Sequence, residues 1–111
     1  MEHTRSDKVA SVVLRHVAGI LSRGFAEGIL GGVSLSGAEA HGGLQFVRLW
    51  YYVREGEDRN AVQSALDKVA PAVRRELGSI MNQKFVPDIR FAYDETLEKA
   101  KRLEEVLEKL K

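Results

Sequence analysis

The chain contains no cysteine, which removes disulfides, thiolate metal ligands and thiol nucleophiles together. Zinc-ribbon and thioredoxin-type readings are closed, and a reducing compartment fits. A surplus of either charge is also missing: 17 basic residues stand against 16 acidic ones, so net charge gives no argument for a polyanionic partner. No apolar run approaches the length of a membrane span. The only stretch resembling a signal segment, Val9 to Leu21, is interrupted by Arg15 and His16 and follows Arg5, Asp7 and Lys8. We therefore expect a soluble, cytoplasmic protein with no membrane contact. Paired carboxylates, a histidine relay or a nucleophile beside a base are absent at any recognisable spacing, so neither enzymatic chemistry nor a metal or cofactor is expected. Proline occurs only at Pro71 and Pro87, which makes both positions informative.

At 111 residues the chain fits one domain, large enough to bury roughly two-thirds of its unfolded surface without staples. Ser6 and Asp7 read as the N-cap and first-turn acid of a helix. Val9, Val12, Val13, Val17, Ile20 and Leu21 then recur at helical spacing as far as Gly24. His16 lies inside that stripe and reads as a partly buried histidine with one hydrogen bond. Lys8, Ser11 and Arg15 share the opposite face. The connector Gly24 to Gly32 spells Gly28-Ile-Leu-Gly31, formally the GxxG of KH domains, but without a basic residue or a following lysine and hydroxyl it reads as a plain link.

Val33 to Ala40 and Leu44 to Val53 read as a hairpin about a His41-Gly42-Gly43 turn. In its second strand Val47, Leu49, Tyr51 and Val53 form one face and Phe46, Arg48, Trp50 and Tyr52 the other. The second face reads as half-exposed cross-strand packing, although arginine beside aromatics also builds stacking platforms for single-stranded nucleic acid. Arg54 to Arg59 is a charged loop, and Asn60 with Gln63 resembles a capping box. Val62, Ala65, Leu66 and Val69 line the next helix up to Pro71, which must end or kink it. Beyond the proline, Val73, Leu77, Ile80 and Met81 are expected inward, with Arg74, Arg75, Gly78, Ser79 and Asn82 outward. Lys84 to Tyr93 is the third strand. Asp94 caps a last helix whose Leu97, Ala100, Leu103, Val106, Leu107 and Leu110 form a narrow stripe, expected to dock on its own domain, with a short coiled-coil seam as the other possibility. The order α-β-β-α-kink-α-β-α predicts a single two-layer α+β domain over residues 1–111, with 94–111 as a terminal helix.

The densest positive region runs from Lys68 to Arg90, where Lys68, Arg74, Arg75, Lys84 and Arg90 outnumber Glu76 and Asp88. Its strand, Lys84-Phe-Val-Pro87-Asp88-Ile89-Arg90-Phe91-Ala-Tyr-Asp94-Glu-Thr96, resembles the signature of the ribosome-binding factor A family: an arginine, Pro-acidic-Leu, Arg-Phe, then Asp with a serine two later. Val73-Arg74-Arg75-Glu76-Leu77-Gly78, the opening helix and the hairpin also lie on that family's pattern, so the resemblance covers nearly the whole chain. It implies a type II KH-like fold in which a kink replaces the GxxG loop, no catalysis, and binding to the 30S ribosomal subunit or its precursor at 16S rRNA. Three departures mark a divergent or redesigned member. Val69-Ala70-Pro71 stands where the kink is usually Ala-x-Gly, Lys84 replaces an arginine, and His41-Gly42-Gly43-Leu44 lacks the acid usual in that turn. The expected RNA contacts are Arg74, Arg75, Asn82 and Lys84, flanked by Lys68 and Arg90, with Arg48 and Lys8 as outlying candidates, on a monomer. The alternative is a KH-like protein-interaction or oligomerisation module without a ribosomal role, using the Phe46, Trp50 and Tyr52 face or the terminal seam.

Overall fold

The computed structural model describes residues 5–81 and 86–110. Helix α1 (Arg5–Gly24) leads through a 3-10 turn (Gly28–Gly32) into strand β1 (Val33–His41) and strand β2 (Phe46–Val53). Helix α2 (Arg59–Met81), strand β3 (Asp88–Tyr93) and helix α3 (Thr96–Lys109) follow. The sheet order is β1-β2-β3, with β1 antiparallel and β3 parallel to the central β2. A parallel neighbour demands a long crossover, and α2 supplies it. Ala10, Val13, Val17, Ile20 and Leu21 of α1, Val62, Leu66, Val73 and Leu77 of α2, and Val47, Leu49, Tyr51, Ile89 and Phe91 of the sheet form one buried cluster. Both helices therefore lie on a single face of the sheet, as the strand alternation predicts.

Local chemistry accounts for most boundaries. Ser6 sits inside the described span of α1 and not before it, while Asp7 keeps its place as the first-turn acid. His16 is half-buried and, contrary to the expected hydrogen bond, forms none among the described residues. The hairpin turn takes four residues, with φ of 58° at Gly42, 61° at Gly43 and 80° at Leu44. A left-handed leucine cannot continue an extended strand. Strand β2 thus starts at Phe46, two residues later than alternation suggests. Strand β1 carries a bulge between Leu35 and Gly37, which sets Ser36 outside the pairing register.

Helix α2 is capped by Asp58, whose Oδ1 accepts from the amides of Asn60 (2.9 Å) and Ala61 (3.3 Å). The expected capping box does not form, because Gln63 is engaged with the sheet. Of the two outcomes a proline permits, Pro71 does not end the helix, which runs through it to Met81. The proline leaves the Asp67 carbonyl without its helical partner. Yet Val62, Leu66, Val73 and Leu77 fall on one face at spacings of 4, 7 and 4, so burial against the sheet keeps both halves in step. Ile80 turns outward, 41 % exposed, correcting its expected inward position. A Cβ on Gly78 would meet Val86 Cγ2 at 3.5 Å, ordinary contact, so the neighbour filling this space is the approach to β3.

The terminal helix departs from expectation most. Leu103, Val106 and Leu107 of α3 and Leu110 just after it are 60, 54, 53 and 77 % exposed, so the stripe does not dock on the domain. The inner sheet face is already filled by α1 and α2, and among the described residues the ion pairs and side-chain hydrogen bonds that hold α3 lie at its start. Arg59 pairs there with Glu95 (3.4 Å) and Glu98 (3.6 Å). Its guanidinium carbon lies 3.7 Å from the ring centre of Tyr93, whose hydroxyl donates to Glu98 at 2.9 Å. Removing residues 100–111 is therefore expected to change the free energy of unfolding by no more than about 0.5 kcal/mol. Urea titration checks this; a loss of several kcal/mol would mean that the helix docks.

Candidate nucleic-acid interface

Strand β3 is an edge strand, and α2 side chains bond to one of its carbonyls and to two in the approach to it. Gln63 Nε2 donates to the Phe91 carbonyl at 3.0 Å and to Asp67 Oδ1 at 3.0 Å. Its Oε1 receives the hydroxyl of buried Tyr51 at 2.5 Å. Farther along, Arg74 donates to the carbonyls of Val86 (2.9 Å, Nη2) and Pro87 (3.3 Å, Nε). Helix α2 thus covers the edge and fixes where β3 begins. A groove of about 470 Å³ remains between them, lined by Asp67, Ala70, Pro71, Arg74, Asp88 and Arg90, among others. Two acids balance two arginines there, so the groove itself carries no surplus of charge.

The face of the sheet opposite the helices is open. Strand register sets Arg48 between Glu39 on β1 and Arg90 on β3, with His41, Phe46 and Asp88 in the next row and Trp50 between Gly37 and Ala92. His41 stacks on Phe46 with centroids 4.9 Å apart and planes at 11°. Arg90 covers the same ring at 3.8 Å, while Arg48 lies 5.8 Å from Phe46 and 5.7 Å from Trp50. Glu39 accepts from Trp50 Nε1 at 3.2 Å, and its other oxygen stands 3.4 Å from His41 Nε2 without hydrogen-bond geometry.

The predicted contact residues fall into separate places. Arg74, Arg90 and Pro71 share the groove, but two of the five Arg74 donors are held by the chain's own carbonyls. Lys68 and Arg75, seven residues apart, lie exposed along one side of α2. Arg48 and Arg90 face each other on the open sheet face, and Lys8 is exposed on α1. Asn82 and Lys84 lie outside the described residues. Val69 and Ala70 pack against the core beside exposed Pro71. Sequence reasoning placed Gln63 in a cap and Arg59 in a solvated loop; both instead join distant elements, and nothing in their local spacing carries that.

Between β3 and α3, Asp94 links back to the other edge strand. Ser36, displaced by the bulge, donates to Asp94 Oδ2 at 2.6 Å, and the Thr96 amide donates to Oδ1 at 2.9 Å. These bonds, Ser36 first, hold the Asp94 carboxyl below its usual range. Burial raises the phenols of Tyr51 and Tyr93 above theirs.

A sequence profile described as ribosome-binding factor A matches residues 5–107. The ribosome-binding factor A of Trichlorobacter lovleyi is 33 % identical over 108 residues, covering 96 % of this chain and 88 % of the relative. That of Limosilactobacillus fermentum is 32 % identical over 108 residues, covering 96 % and 90 %. Among solved structures, the crystal structure of ribosome-binding factor A from Thermus thermophilus superposes with a TM-score of 0.71 at 9 % identity, covering 79 % of this chain and 93 % of that one. The likeness shows the KH-like α+β fold.

Two outcomes follow from the hydrogen bonds. Arg74→Ala leaves the Val86 and Pro87 carbonyls unpaired and should cost about 1–2 kcal/mol in chemical denaturation, whereas Arg75→Ala should cost under about 0.5 kcal/mol. Equal effects would remove the stapling role. Because Asp94 titrates below its unfolded value, its contribution is present above the unfolded value of 3.8 and is lost as pH falls through the folded one. The stability gap between wild type and Ser36→Ala should therefore be full at pH 6 and shrink below about pH 4. A gap independent of pH would contradict the Ser36–Asp94 bond.

Proposed function

The chain belongs to the ribosome-binding factor A family, and from that membership we propose that it is a non-catalytic assembly factor for the small ribosomal subunit. In this reading it binds the 30S particle or its precursor at 16S rRNA in the cytoplasm, and acts by positioning RNA. The observation that carries it is the family match over residues 5–107, which runs from the start of α1 into the last turns of α3. The geometry supplies means and not only membership. Lys68 and Arg75 stand exposed on the α2 flank, Arg90 borders both the groove and the open sheet face, and Lys8 adds charge on α1. Asn82 and Lys84, outside the described residues, are proposed as contacts from the sequence pattern. Arg74 serves first to hold β3, and reaches phosphate only with the donors it has left.

Sedimentation with purified small subunits at low and high salt tests this, with large subunits as control. Co-migration with the small subunit should weaken steeply as salt rises, because phosphate contacts release counterions. Lys68→Glu with Arg75→Glu should lower occupancy at least about ten-fold without unfolding the chain, since neither residue holds the fold. Co-migration with the large subunit alone, or binding indifferent to both charge reversals, would sink the reading or its surface respectively.

A second reading, association of two copies through α3, is favoured by the exposed stripe. Ala100, Leu103, Leu107 and Leu110 follow 3-4-3 spacing, and parallel pairing would set Lys99 of one copy near Glu104 of the other. A mass independent of concentration in sedimentation equilibrium would remove it.

A further inference from the structure

The open sheet face holds a charge arrangement that the fold itself does not explain. Arg48 and Arg90 are direct partners on neighbouring strands, and like charges facing across a sheet are destabilising. Among the described residues neither guanidinium has a hydrogen bond or a carboxylate within ion-pairing distance. Their contacts are with rings: Arg90 over Phe46, and Arg48 between Phe46 and Trp50. Glu39 is Arg48's direct partner on β1, but its carboxylate, like that of Asp88, is engaged by another group. Glu39 accepts from Trp50 Nε1, and Asp88 Oδ1 accepts from the Ile89 amide at 3.0 Å. Two forked cations with unspent donors thus sit beside the half-exposed rings of Phe46 and Trp50.

We propose that this face binds an unpaired nucleotide of single-stranded RNA, its phosphate between Arg48 and Arg90 and its base stacked on Trp50. The inference rests on the ribosomal reading and adds a second contact surface, on the side of the sheet away from α2's exposed flank. Guanidinium forks match phosphate oxygens in pairs, and an indole face accepts any base. A duplex is excluded by the same chemistry, because its bases hide their faces in the stack. Glu39, Asp94, Glu95 and Lys99 line a cleft beside Trp50. From Phe46 to Trp50 the platform spans about 13 Å, which limits the site to a short segment.

Trp50 is the only tryptophan, so its emission reports stacking directly. Wild-type protein is titrated with a short single-stranded RNA of mixed sequence and with the same sequence as a duplex, while a fluorescein-labelled strand gives anisotropy. Saturable quenching by the single strand, absent with the duplex, is expected. Arg48→Gln with Arg90→Gln should weaken binding at least about ten-fold and reduce the log–log salt slope by roughly 0.7 for each phosphate no longer neutralised. Trp50→Ala should lose roughly five- to 150-fold by anisotropy, and Trp50→Phe should restore most of it. Circular dichroism and thermal melting establish that each variant folds. Oligonucleotide binding without quenching, or unchanged by the arginine substitutions, overturns the proposal; so does failure of the oligonucleotide to bind a wild type that still sediments with small subunits. Failure of wild type to sediment with small subunits at low salt would instead overturn the underlying reading.

Discussion

The rest of the structure depends on how α2 holds β3. A parallel edge strand has no hairpin to fix its register, and its free carbonyls invite pairing with another chain. Gln63 and Arg74 hold it with hydrogen bonds from one helix to the strand's backbone at Phe91 and to its approach at Val86 and Pro87. The buried hydroxyl of Tyr51 is satisfied by the same Gln63, which ties the central strand into the arrangement. Once β3 is set, Arg90 is brought opposite Arg48, Tyr93 beneath Arg59, and Asp94 within reach of Ser36. Both proposed nucleic-acid surfaces and the root of α3 follow from that placement.

Pro71 sits at the centre of this helix without interrupting it. A proline in a helix interior costs about 3 kcal/mol or more through a lost bond and a clash with the preceding turn. The apolar face running unbroken from Val62 to Leu77 offsets this by burial on both sides of it. The resemblance to ribosome-binding factor A calls for a kink where other KH domains have a loop, and here a proline occupies that position inside continuous helix. The groove beside it is balanced in charge, which is why the exposed cations of α2 and of the sheet face carry the proposed RNA contacts instead.

Much of this was legible in residue order. Strict alternation in Phe46 to Val53 and Asp88 to Tyr93 separates the buried from the open face, and helical spacing in α1 and α2 marks the core residues, because burial on one side imposes a period that a reader can count. The element order and the match to a family signature followed. Less legible was anything depending on partners distant in sequence. Gln63 reads locally as a cap, yet its three hydrogen bonds reach Tyr51, Asp67 and Phe91. Arg74 reads as a surface cation, yet it serves as a staple. The α3 stripe reads as a docking face, but spacing cannot tell whether a vacant surface remains for it, and the inner sheet face was already full. Leu44 at φ 80° has no sequence signal, since glycine or asparagine is the residue expected there.

The central claim is that this chain meets small-subunit RNA through the cationic flank of α2 and the open face of the sheet. Ultraviolet cross-linking of the complex with small subunits, followed by peptide mapping, tests it most directly. The account predicts RNA adducts on the peptide containing Phe46 to Tyr52 and on the α2 peptide containing Lys68 and Arg75, both disappearing at high salt. Adducts confined to residues 99–110, in a complex that is otherwise intact, would contradict it.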